Sequence, residues 1–162
     1  RHDEMVATFR PQTFIGNHDV TRIATKLTDP RHVEVALACL MLLLGTPSVY
    51  YGDELGFTGE KRDAVGGDDA IRPEFPADPA DLTGDSACLD AHRRLIGLRR
   101  NHPWLADARL TTGHLTNTTV AIGLAGRDGQ HLTLGLNLGD EAIVLPGSYG
   151  PITVHPQSWA LG

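Results

Sequence analysis

At 162 residues the chain has room for one large domain or two small ones, and 41% hydrophobic with 21% charged residues is the make-up of a folded soluble protein. A net charge of −6 and a pI near 5.7 leave no electrostatic footprint for nucleic acid. The longest apolar run, Val35 to Leu44, is too short to cross a bilayer. Cys39 and Cys88 form no disulfide framework and fit no zinc spacing. The chain opens at Arg1, with His2 to Met5 reading as the tail of a helix, so a fragment of a longer polypeptide is expected. The compartment stays open, with a lean towards cytoplasmic, because any targeting signal would precede Arg1.

Gln12 to Gly16 reads as a short buried strand running into a polar loop. Asp29-Pro30 supplies an N-cap followed by proline at the first helical position, and Val33 to Leu44 continues as a helix that Gly45 is placed to close. Its C-terminal half is apolar around the whole circumference and needs cover on several sides. Ser48 to Tyr51 predicts a second strand, with a crossover long enough for a parallel pair. Gly56 to Gly84 is a long irregular loop of the functional or disordered kind. A second helix is predicted from Ser86 to Arg100, capped by Asp85 and ended by Asn101-His102-Pro103, with Arg93, Arg94, Arg99 and Arg100 on a solvated face. The remainder predicts about five short antiparallel strands, with hairpin signals at Arg127-Asp128-Gly129 and, more weakly, Gly139-Asp140. A boundary near Leu105 therefore divides an α/β part, 1–105, from an all-β part, 106–162.

The segment carrying chemistry is Phe14-Ile15-Gly16-Asn17-His18-Asp19, with Arg22 beyond it. A His and an Asp stand where a strand emerges into a loop, the place where parallel α/β folds build sites. As a bare pattern Asn-His-Asp is also open to a helix-capping reading. Gly-Asn-His-Asp in addition resembles the metal-binding signature of calcineurin-like phosphoesterases. That class needs a downstream Gly-His-x-His, and Gly113-His114-Leu115-Thr116 has threonine at the second ligand position.

Phe-x-x-Asn-His-Asp also resembles the seventh barrel strand of the α-amylase superfamily, glycoside hydrolase family 13. Gly45 to Gly56 (GTPSVYYGDELG) is similar to that family's eighth strand and following loop. Arg72 to Pro76 (RPEFP) resembles a loop of maltooligosaccharide-acting members, and Pro156 to Leu161 the last strand of the C-terminal β domain. Four matches in order span nearly the whole chain.

The resemblance implies the last two βα units of a TIM barrel followed by a small antiparallel β-sandwich. It implies a part of a retaining α-glucoside hydrolase, in which two carboxylates act as nucleophile and general acid/base. Asp19 matches the third carboxylate, which stabilises the oxocarbenium-like transition state. His18 matches a histidine hydrogen-bonded to the same sugar, and Arg72 is a substrate-binding candidate, with a structural ion pair as its alternative. Asn17 shapes the turn, and Arg22 is expected to be scaffold. Tyr50 and Tyr51 read as alternating strand residues, Glu54 as a structural carboxylate, Asp68-Asp69 as solvated loop, and Trp104 and Trp159 as core aromatics. The expected partners are an α-glucan or maltooligosaccharide substrate and a covering surface, either the rest of a barrel or another copy of the chain. Neither nucleic acid nor a membrane is expected. No cofactor or metal is implied for these residues, although calcium has a place in longer family members. Nucleophile and acid/base have no match here, so the chain alone is expected to be inert. A non-catalytic amylase-like binding or assembly module is the alternative.

Overall fold

The computed structural model describes residues 8–162; the helix tail expected over His2 to Met5 lies outside them. Strand β1, Gln12–Thr13, leads through a loop into a four-residue helix α1, Ile23–Lys26, and the main helix α2, Arg31–Leu42. Strand β2, Thr46–Pro47, lies parallel to β1, with Gln12 opposite Thr46 and Thr13 opposite Pro47. The strand–helix–strand order is as expected, but the second strand lies earlier than Ser48 to Tyr51. Ser48 N–H still reaches the Thr13 carbonyl (2.8 Å), after which the chain leaves the ladder.

Helix α2 ends sooner than its apolar pattern. The Asp29 carboxylate accepts from the Arg31 N–H (2.9 Å) at its start. Leu43 turns extended at its end, so Gly45 is not the cap. With φ +104°, Gly45 instead turns the chain into β2. A Cβ there would meet the Pro11 carbonyl at 2.9 Å.

Helix α3, Ser86–Asn101, starts on the Asp85 carboxylate, which accepts from the Ala87 and Cys88 N–H groups (2.9 and 3.3 Å). Its arginines are not simply a solvated face. Half-buried Arg99 donates to the carbonyls of Met41 (3.0 Å), which the end of α2 leaves open, and of Leu43 (2.6 Å) and Gly45 just beyond it. Arg94 pairs with Glu34, and its guanidinium lies 5.8 Å from the Trp159 ring. His92 is buried, with Nδ1 2.9 Å from the Cys88 carbonyl.

Six strands follow among the described residues: β3 Arg109–Leu115, β4 Thr119–Ala125, β5 His131–Asn137, β6 Ile143–Leu145, β7 Ile152–Val154 and β8 Ser158–Leu161. One strand more than expected arises because Ile152 to Leu161 breaks at Pro156-Gln157, where Gln157 takes a left-handed φ of +52°. The Arg127-Asp128-Gly129 turn joins β4 to β5 as a hairpin. Gly139-Asp140 does not make one, because β6 leaves to pair with β7. The large sheet runs β3-β4-β5-β8, all antiparallel, and β6-β7 forms a separate two-stranded sheet.

Period-two alternation sorts the two faces of the large sheet. Ile122, Leu124, Leu132, Leu134, Leu136, Trp159 and Leu161 pack with Leu37, Leu40, Met41, Leu95 and Leu105 in one core, and Trp104 packs against it too. On the opposite face Ala121 and Ala160 pack with Leu145 and Val154. Gly135 sits there as well, where a Cβ would meet Val154 at 2.8 Å and Ile152 at 2.9 Å, so the small residue admits the β6–β7 pair. The apolar helix consequently finds its cover within the chain: no residue of α2 after Arg31 is exposed. The expected need for an outside surface to cover this helix is corrected. Fully burying one leucine of this core contributes about 1.5–3 kcal/mol. Both cysteines are free, and among the described residues no helix is long and apolar enough to cross a membrane.

Candidate active site

The loop after β1 carries Asn17, His18 and Asp19 to the end of the parallel pair. Asn17 Oδ1 accepts from the Asp19 N–H (2.8 Å), an Asx turn that sets the direction of the Asp19 side chain. The Asp19 side chain is 63% exposed and forms an ion pair with Lys61. That hydrogen bond first, and the ammonium charge second, hold its carboxyl below its ordinary pKa. His18 is exposed, and its carbonyl accepts from Arg72 Nε (2.8 Å). Arg72 also grips Asp68 (2.6 Å), which lies 3.5 Å from Lys61. His18, Asp19 and Arg72 are thus assembled around one rim, with Arg72 on the backbone of His18 and on Asp68.

Beneath the rim lies a buried ion pair. Arg22, 1% exposed, contacts Asp53 (2.8 Å) and the Tyr51 carbonyl (2.6 Å), with its guanidinium 4.2 Å from the Tyr50 ring centre. Burial pushes the Asp53 carboxyl up, and the Arg22 hydrogen bond pulls it back. Gly16 makes the approach of Asp53 feasible, since a Cβ there would stand 2.5 Å from its Oδ2. Arg22 is therefore scaffold, as expected, and the buried carboxylate is Asp53 rather than its neighbour Glu54. Tyr50 and Tyr51 are not strand residues: Tyr51 donates its hydroxyl to the Pro73 carbonyl (2.9 Å) and meets Phe75 edge-on at 5.3 Å.

The irregular loop is stitched to the segment after Asp19. Arg22 N–H donates to the Gly59 carbonyl (2.9 Å), Gly59 N–H to Thr25 Oγ1 (2.8 Å), and Lys61 N–H to Thr21 Oγ1 (3.1 Å). Sequence reasoning missed Lys61, one lysine in a long polar loop with no periodicity to single it out. It also missed Asp53, although an Asp after the Tyr-Tyr-Gly turn is a visible signal for a buried arginine upstream. Among the described residues no group of three or more His, Cys, Asp or Glu side chains is placed to hold a metal ion. His114 instead lies in β3, 2.9 Å from Thr119 Oγ1.

The catalytic-domain profile of the α-amylases matches residues 1–115. The chain is 36% identical over 94 residues to a cyclomaltodextrin glucanotransferase from Geobacillus stearothermophilus, covering 58% of this chain and 12% of that one. It is 34% identical over 94 residues to a maltogenic alpha-amylase from Bacillus acidopullulyticus, covering 57% and 15%. In structure it is similar to the cyclic alpha-maltosyl-(1→6)-maltose hydrolase from Arthrobacter globiformis, with a TM-score of 0.74 at 24% identity, over 93% of this chain and 34% of that one. It also resembles the alpha-amylase from Geobacillus thermoleovorans, with a TM-score of 0.75 at 17% identity, over 98% and 41%. The chain thus matches only 12% and 15% of the length of those curated relatives. The profile covers more than half of the chain, and this protein belongs to the α-amylase family, glycoside hydrolase family 13.

Proposed function

We propose that this chain is the end of a (β/α)8 catalytic barrel, residues 1–105, followed by a C-terminal β domain, residues 106–162, sharing one core. In this reading it serves a retaining α-glucoside hydrolase acting on maltooligosaccharides or α-glucans. Asp19 is the carboxylate that stabilises the transition state, and His18 and Arg72 contact the sugar. The observation that carries the proposal is the presentation of an exposed, ionised Asp19 at the end of a parallel strand pair, beside His18 and within a rim stitched by Lys61, Asp68 and Arg72.

The chemistry suits this placement. An ionised carboxylate accepts hydrogen bonds from two adjacent sugar hydroxyls, and these strengthen as the ring flattens towards the oxocarbenium ion. Its negative charge also favours the developing cation. Nucleophile and general acid/base belong to earlier barrel strands, so residues 1–162 alone are inert. Among the described residues β1 and β2 pair only with each other, and Phe14 beside them is 52% exposed, which fits a barrel surface awaiting neighbouring strands or a second copy.

The test is glucose and maltose release from maltooligosaccharides, measured for residues 1–162 and for the longest natural polypeptide carrying them. Activity in the longer polypeptide and none in the shorter is expected. Hydrolysis by residues 1–162 alone would overturn the claim of inertness. Binding of maltooligosaccharide without turnover by the longer polypeptide would assign a non-catalytic binding module instead.

A further inference from the structure

We propose that Lys61 is a positioning residue for Asp19: its ammonium group, anchored by the loop and by Asp68, fixes the orientation of the carboxylate that meets the sugar. This rests on the reading of Asp19 given above. The loop is built to deliver Lys61. Three hydrogen bonds tie residues 59–61 to residues 21–25, as described. The return of the loop is just as constrained. A Cβ on Gly59 would stand 2.1 Å from the Ala70 carbonyl, and one on Gly67 would stand 1.9 Å from the Arg62 carbonyl. Both crossings need glycine, and together they bring residues 68–72 back against Lys61.

The side chains complete the device. Lys61 pairs with Asp19 and lies 3.5 Å from Asp68, which Arg72 grips at 2.6 Å while holding the His18 carbonyl at 2.8 Å. The carboxylate of Asp19 and the backbone of His18 are thus pinned by one relay running through Asp68. Lys61 engages Oδ1 of Asp19, while the Asp19 side chain stays 63% exposed, which leaves the carboxylate accessible to sugar hydroxyls. The basic side chains facing Asp19 are those of Lys61, His18 and Arg72, and the first makes the largest contribution to keeping it ionised.

The experiment uses the longest natural polypeptide carrying this sequence, with Lys61→Met, Lys61→Arg and Asp68→Asn. Steady-state kinetics on maltooligosaccharides is read beside the 13C-carboxyl titration of Asp19, assigned with Asp19→Asn. Lys61→Met is expected to lower kcat about tenfold, with a smaller change in KM and an unchanged thermal midpoint, because the carboxylate loses its orientation. The Asp19 titration should rise towards the ordinary carboxylate range in Lys61→Met and less far in Asp68→Asn, and Lys61→Arg should restore both readouts. An Asp19 titration unmoved in Lys61→Met, or a kcat within twofold of the parent, would overturn the proposal. Should the parent show no hydrolysis while Asp19 still titrates low and rises in Lys61→Met, the hold of Lys61 on Asp19 stands and the glycosidase reading is what fails.

Discussion

Around Leu95, Leu105, Leu124 and Leu134 the molecule is held by apolar side chains with no exposure, drawn from two helices and a sheet that lie far apart in sequence. Around Asp19 it is held by charges: exposed Asp19 and half-exposed Lys61, Asp68 and Arg72, linked by ion pairs and by hydrogen bonds to loop backbone. The Arg22–Asp53 pair lies between these regions, ionic like the rim and buried like the core. Apolar burial stabilises wherever its residues are brought together, whereas exposed ion pairs contribute little to stability and much to direction. The core therefore fixes where the rim stands, and the rim decides what it can do.

The largest expected effect lies at the junction. Arg22→Met leaves Asp53 buried without its cation and should cost about 3–5 kcal/mol in a urea titration. A loss below about 1 kcal/mol would show that the pair does not lock rim to core. Next comes the core, where Leu134→Ala is expected to cost about 2–5 kcal/mol and to unfold helices and sheet in one transition, seen alike by far-UV circular dichroism and tryptophan fluorescence. Two separate transitions would mean that the β part folds independently of the α/β part.

Thiol reactivity sharpens the contrast more gently. Burial pushes Cys39 up to about 11, and Cys88, less buried, is also raised, first by burial and then by Asp85. At pH 8 a thiol reagent should label Cys88 first, and Cys39 more slowly because less of it is thiolate. The smallest effect is at the start of α2. Asp29 is held at about 2, first by the Arg31 side chain and then by the Arg31 N–H. Its folded pKa lies below the unfolded value of about 3.9. Its contribution is therefore complete above about pH 5 and is lost as pH falls towards 2. The protection of the Arg31 and His32 amides against exchange, relative to the unfolded chain at the same pH, should fall across that window and not above it.

Sequence pattern predicted α3 and its Asp85 cap closely, because a local signal and an apolar period agree there. It also predicted an antiparallel module with a hairpin at Arg127-Asp128-Gly129, because that turn signal is local, and the turn joins β4 to β5. It misplaced β2, since a two-residue parallel strand carries no period and its limits are set by the partner strand. The end of α2 was misplaced because Leu43 and Leu44 are apolar for the sake of packing and not of helix continuation. Arg99 was unreadable, for its partners are carbonyls at and just beyond the end of α2, some 54 to 58 residues away. At the rim, His18, Asp19 and Arg72 stood out through family resemblance, and the structure brings them together. Lys61 did not stand out and Asp68, which pairs with Arg72 and Lys61, was read as solvated loop, because charged residues in a polar loop gain meaning only when the chain returns upon itself.

The most direct measurement is Asp19→Asn in the longest natural polypeptide carrying this sequence, with turnover of a maltooligosaccharide and urea denaturation measured on the same preparation. Removing a carboxylate that acts on the transition state should lower kcat by about 10²- to 10³-fold. Stability should move by less than about 0.5 kcal/mol, as for an exposed site outside the core. Turnover within a few-fold of the parent would contradict the central claim that Asp19 stabilises the transition state.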